Sequence, residues 1–147
     1  PVYGIRRGDK PSNGINAEGA LRMTESVIQT QIVAWLSLVA RRCGFLFASV
    51  PNEGMMTAAL MGSLPKSALF GMLTKFKKMG MTPGFSDLVI GWRGKMFCME
   101  VKNEKGRQSE NQERFAAWCA SCGIPYRVVR SLDEAQSVMV EWGIIGG

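Results

Sequence analysis

Arg93-Gly94 narrows what this chain can fold into more than any other dipeptide, because it separates two apolar runs, Leu88–Trp92 and Lys95–Val101. As a two-residue hairpin loop it sets Trp92 against Lys95 and fixes every rung beyond. Ile90 then meets Phe97, Leu88 meets Met99, and Asp87 falls opposite Glu100. Opposed residues of an antiparallel pair share a face, with Cβ atoms about 4.5–5.5 Å apart. Lys102, two residues past Glu100, points to that face as well. Two carboxylates so close repel each other unless a cation or a proton lies between them. The pattern therefore invites a divalent cation with a lysine beside it. A loop one residue longer on either side breaks this register, and convergence then depends on a bulge or twist.

The rest of the composition restricts the chemistry. The chain has no histidine, which removes the serine–histidine and cysteine–histidine nucleophile systems and nearly all histidine-containing zinc sites. Carboxylates, lysine, backbone oxygens and water remain, and oxygen-only ligand sets suit Mg²⁺ and Mn²⁺. Of Cys43, Cys98, Cys119 and Cys122, only the last two form a C-x-x-C pair, and no second pair completes a zinc site. Lying late in a helical stretch, that pair is expected to serve as small apolar packing. A net charge of +6 fits a polyanionic partner and a solvated surface equally well. The length of 147 residues suits one domain. With no secretory leader read and no bilayer-length apolar run, a cytoplasmic, reducing compartment is expected.

Along the chain, residues 1–23 are irregular and are expected to form a flexible arm, in which Arg6-Arg7-Gly8-Asp9-Lys10 could brush phosphates. Residues 24–145 form the expected folded domain. Thr24 reads as the N-cap of a helix running to about Arg42 and stopped at Gly44. Its stripe of Ile28, Ile32, Trp35, Leu36 and Val39 is continued by Gln29 and Glu25. Glu25 is then either a dipole-compensating surface acid or the rim of a cleft. Phe45–Val50 reads as a strand ended by Pro51, Asn52-Glu53-Gly54 as a turn, and Met55–Met61 as loop or helical turn. A helix follows from Ser63, with Pro65 in its first turn, to Met79 and Gly80, carrying Lys66, Lys75, Lys77 and Lys78. Beyond the hairpin, Asn103–Gln108 is a polar loop holding Lys105 and Arg107. Ser109 and Gln112 form a capping box for a helix with Phe115, Trp118 and Cys119 that ends at Gly123. Ile124–Val129 reads as a strand, and Ser131 with Glu134 as a second capping box for a helix to Trp142 or Gly143. The order α-β-α-β-β-α-β-α predicts an α/β domain with a central mixed sheet flanked by helices.

An acid opening the first helix, then Asp87, a hairpin and Glu100-Val101-Lys102, resembles the PD-(D/E)xK nuclease superfamily. Asn52-Glu53-Gly54, the lysine-bearing helix, Gly80-x-x-x-Gly84-Phe85-Ser86-Asp87 and Ser109-x-x-Gln112 resemble its VRR-NUC branch, from Glu25 to about Ser131. Ser86 stands where that branch usually has proline. The resemblance implies a restriction-endonuclease-like fold with Glu25, Asp87 and Glu100 as metal-binding carboxylates. It also implies the main-chain oxygen of Val101 as a further ligand and Lys102 as the catalytic lysine. Gln112 matches a glutamine near the family's site, with its capping role at least as strong a reading, and Asn52 and Glu53 would line the same cleft. Lys66, Lys75, Lys77, Lys78, Lys105, Arg107 and Asn52 are the expected DNA contacts. One or two Mg²⁺ or Mn²⁺ ions would serve hydrolysis of structured DNA leaving a 5′-phosphate. The expected enzyme is a homodimeric four-way (Holliday) junction resolvase of a bacterial or phage-infected cell, since no other domain is read in the chain. A flap or general DNA nuclease of the same fold, an inactive DNA-binding or assembly module, and a solvated salt-bridge cluster are the alternatives.

Overall fold

The Arg93-Gly94 loop closes as its chemistry predicts: both residues have positive φ, 48° and 74°, which is the requirement of a type I′ hairpin. The computed structural model describes residues 23–52, 56–57 and 60–146. Glu53, Gly54 and the Arg6–Lys10 stretch lie outside the described residues. On either side of the loop run β2 (Leu88–Trp92) and β3 (Lys95–Val101), in the register Trp92↔Lys95, Ile90↔Phe97 and Leu88↔Met99. The ladder starts at Leu88, so Asp87 stands one residue before its first rung. Asp87 is tied across by its side chain, whose Oδ2 accepts the Val101 N–H at 2.8 Å.

Around this hairpin the elements follow in the predicted order. They are α1 (Glu25–Cys43), β1 (Leu46–Ser49), α2 (Lys66–Lys78), β2, β3, α3 (Glu110–Ser121), β4 (Tyr126–Val129) and α4 (Leu132–Glu141). The sheet order is β1-β2-β3-β4, with β1 antiparallel to β2 and β4 parallel to β3. A parallel neighbour requires a crossover, and α3 supplies it.

Strand alternation sorts the core into two layers. Leu88, Ile90, Phe97, Met99 and Val101 pack with Ile28, Ile32 and Leu36 of α1 and Ala135, Val138 and Met139 of α4. On the other face Val89, Met96 and Cys98 meet Phe115 and Cys119 of α3. Asp87, Glu100 and Lys102 alternate onto this second face, where the cover of α3 ends.

The caps are local and mostly legible. Thr24 Oγ1 accepts the Val27 N–H, and Ser109 and Gln112 make the full reciprocal box. The second box is only half formed: Ser131 Oγ accepts the Glu134 N–H, but Glu134 Oε2 accepts the Arg130 N–H at 2.7 Å instead of closing on Ser131. Pro65 is the N-cap of α2, one position before its first turn, in the extended conformation that proline favours. No residue of α2 is buried. Cys119 is buried as packing predicts, whereas Cys122 is exposed, one residue past the last turn of α3. Among the described residues, no helix is long and apolar enough to cross a membrane.

Candidate active site

Where β2 begins and β3 ends, the N-terminal turns of α1 and α3 meet over a cleft of about 960 Å³. Glu25, Asn52, Asp87, Lys102, Arg107 and Gln112 line it. Glu100 lies beneath, fully buried. Gln112 Nε2 donates to its Oε1, and Lys102 Nζ stands 3.1 Å from the same oxygen. Its other oxygen, Oε2, is buried with no hydrogen-bond partner among the described residues. A buried carboxyl in that position is costly when charged. Burial, and secondly the neighbouring Asp87 charge, push the Glu100 carboxyl up to about 7, against the pull of Lys102. Asp87 is also raised, by burial first, while the Val101 N–H and Lys102 oppose the shift. Asn52 Nδ2 donates to Asp87 Oδ1 at 3.0 Å. Both acids are thus oriented by fixed donors, and the one lysine beside them only partly offsets the cost of their burial.

Lys102 is only 7% exposed. Its Nζ lies between Glu100 and Glu25, whose Oε2 is 3.7 Å away. Glu25 gets there because Thr24 starts α1 one residue earlier, so the acid extends the buried face of Ile28 and Ile32 past the edge of the sheet. Gln112 closes its capping box and also touches the buried acid: Oε1 accepts the Ser109 N–H at 2.8 Å while Nε2 reaches Glu100. That reach depends on Gly84, which has φ +79°. A Cβ there would meet the Asn111 carbonyl carbon and oxygen at 2.3 Å. Only glycine lets the segment before β2 press so closely on the first turn of α3.

The cleft therefore gathers Glu25, Asn52, Asp87, Lys102, Arg107 and Gln112, with Glu100 as its floor. Val101 contributes its N–H to Asp87, and its side chain belongs to the core. Lys66, Lys75, Lys77, Lys78 and Lys105 are exposed and lie outside the lining. Among the described residues no three acidic or thiol side chains stand close enough to cage an ion by themselves. The sequence reading missed the Ser49 hydroxyl, which accepts from Gln29 Nε2 at 3.0 Å on the cleft wall, and Arg130, whose guanidinium holds the loop after Lys102. Neither carries a local signal, since each acts on a partner about twenty residues or more away.

Chemically the site offers two oxygen donors of raised proton affinity, one of them with a vacant lone-pair direction, and a fixed ammonium. A hard divalent cation relieves the Asp87–Glu100 repulsion and fits this donor set.

The VRR-NUC domain model matches residues 23–133. Among solved structures, a VRR-NUC domain protein superposes with a TM-score of 0.56 at 18% identity, over 82% of this chain and 88% of its own. A second, a VRR-NUC domain, gives 0.49 at 17% identity, over 81% of this chain and 97% of its own. At 18% identity the first likeness shows the fold. No curated protein matches.

Proposed function

The chain belongs to the VRR-NUC domain family, a nuclease-type domain, and from that premise we propose that it is a metal-dependent endonuclease of branched DNA. The observation that carries this reading is the buried Asp87–Glu100 pair, with Lys102 fixed on Glu100 Oε1 and Oε2 left without a hydrogen-bond partner among the described residues. Asp87, Glu100, the Val101 carbonyl and Glu25 are the groups that would hold one or two Mg²⁺ or Mn²⁺ ions. An ion held there would lower the pKa of a bound water and offset charge on the phosphate.

The remaining work belongs to the chain. Lys102 presents a compact ammonium that orients the attacking water or stabilises the developing negative charge on the phosphate. Gln112 and Lys102 both engage Oε1 of Glu100, which leaves Oε2 as the oxygen uncommitted to either. Asn52 and the Val101 N–H hold both oxygens of Asp87. Arg107, on the cleft wall, is suited to pair with a phosphate of the bound strand. Lys66, Lys75, Lys77, Lys78 and Lys105 supply a more distant positive surface for the backbone.

Four-way junctions are the preferred substrate in this reading, cut by a homodimer whose two clefts face two symmetry-related strands. A cleavage panel tests it: junction, flap, single-strand and duplex DNA with Mg²⁺, Mn²⁺ or EDTA. Paired cuts in the junction that require metal support the proposal. Preference for the flap removes the junction assignment and keeps the nuclease. Intact substrates throughout with Mn²⁺, or binding that survives EDTA without cleavage when metal returns, would sink it.

A further inference from the structure

We propose that Arg130 is a positioning residue, pinning the loop after β3 so that Lys102 stays pressed between Glu25 and Glu100. The parallel pairing of β3 and β4 is what brings Arg130 to the site: Val101 faces Val129, and the Lys102 N–H donates to the Val129 carbonyl at 2.9 Å. Arg130, the next residue, sends one guanidinium nitrogen, Nη1, to two carbonyls, those of Asn103 and Gly106, the latter at 2.9 Å. Its own main chain is gripped as well, since its N–H donates to Glu134 Oε2. The half-closed capping box of α4 is thus explained: Glu134 holds Arg130 in preference to Ser131.

The loop so clamped lies directly on the site. A Cβ on Gly106 would stand 2.7 Å from Glu25 Oε1 and 3.3 Å from Lys102 Cδ. Gly106 therefore packs against the Lys102 stem and the tip of Glu25, and this wall helps keep Lys102 only 7% exposed. The loop folds on itself through the Gly106 N–H on the Asn103 carbonyl and the Lys105 N–H on Asn103 Oδ1. Its anchorage to the rest of the fold at both carbonyls is Arg130. Lysine at 130 keeps the charge but replaces the two N–H bonds of Nη1, fixed in the guanidinium plane, with a freely rotating ammonium.

The test reads Lys102 directly, in the full-length protein without metal, by acetylation with an amine-reactive reagent mapped by mass spectrometry. Lys105, exposed on the same loop, is the internal control. In wild type, Lys102 is expected to react far more slowly than Lys105. In Arg130→Lys, Lys102 gains about tenfold in reactivity while Lys105 is unchanged, the factor that loss of one charge-assisted hydrogen bond corresponds to. Gly106→Ala, whose added Cβ crowds the Glu25 Oε1 tip and the Lys102 stem while the Arg130 side chain is unaltered, is expected to give a gain in the same direction. Cleavage assays on the two variants should lose turnover with KM nearly unchanged, whereas a phosphate-binding Arg130 would show the loss in KM. Unchanged Lys102 reactivity in both variants, or a loss confined to KM, overturns the positioning role. This inference rests on the nuclease reading for its catalytic meaning only: if wild type cuts no DNA, that reading falls, and the acetylation comparison still decides whether Arg130 positions Lys102.

Discussion

At Glu100 a fully buried carboxyl titrates far from where a solvated glutamate does, from 4.5 up to about 7. The folded state then holds the proton more tightly than the unfolded chain. Its contribution to stability falls as pH rises from about 4.5 to about 7 and is level above that. The cost of the charged form is on the order of 3 kcal/mol by linkage. Metal-free Glu100→Gln should therefore melt above wild type at pH 8, with the gain shrinking toward pH 5; an equal gain at both pH values would contradict the assignment. Mn²⁺ should raise the wild-type melting temperature more at pH 8 than at pH 5.5, because protons compete for the same oxygens. Removing the ion with EDTA should reverse the rise, and Glu100→Gln should show little of it. For activity, Asp87→Asn is the clean substitution, since asparagine keeps one acceptor for the Val101 N–H or Asn52. It is expected to lower single-turnover cleavage by roughly 10²–10³-fold, on the scale of losing one preorganised electrostatic contact. Lys102→Ala is not equally clean, because Lys102 is buried against Glu100. Removing a buried ammonium leaves Glu100 uncompensated, at a cost of about 3–5 kcal/mol, so its melting curve must accompany its cleavage rate.

Among the elements, those whose signals are local were legible, and the misses have causes that lie far along the chain. The hairpin register followed from two residues because a type I′ turn fixes what lies on either side of it. The caps of α1 and α3 followed because a capping oxygen and its N–H are three residues apart. The box at Ser131 failed because Glu134 had a better donor one residue upstream, tied to a guanidinium that no local pattern announces. Gly84 stood in the sequence only as one residue of a family pattern, and its reason lies in packing. Gly80 makes a built-in comparison: both have positive φ, +102° at Gly80 and +79° at Gly84, but a Cβ at Gly80 meets nothing within 4 Å. Gly80→Ala is expected to cost about 1 kcal/mol from backbone strain alone. Gly84→Ala adds a clash with the α3 backbone, should cost at least about 3 kcal/mol, and should pull Gln112 off Glu100. Equal melting temperatures for the two variants would show that the segment before β2 does not set the position of α3.

On the scale of the whole molecule, the sheet legibly gathers the acids, whereas the basic residues divide in a way that sequence could not show. Arg107 lies on the cleft wall, while the lysines of α2 stand on an exposed helix that buries none of its residues. Charge counts alone, +6 overall, do not say which of these meets DNA. Three lysines in the last turn of a helix are also what the helix dipole favours. Salt dependence separates the two accounts, because each phosphate neutralised by a lysine adds about 0.9 to the slope of log K against log salt on duplex DNA. If α2 lies along the backbone of the duplex arms, Lys75→Gln with Lys78→Gln should lower that slope by nearly 2 on junction DNA. Affinity should fall similarly for junction, flap and duplex, and the single-turnover rate at saturating protein should hold. Arg107→Gln should behave differently: one unit or less of slope, together with a slower saturated rate, because a phosphate bound by this cleft residue would lie at the reacting strand. A slope unchanged by the double substitution would place α2 away from the DNA and leave its lysines to the helix dipole, with binding carried by the cleft alone.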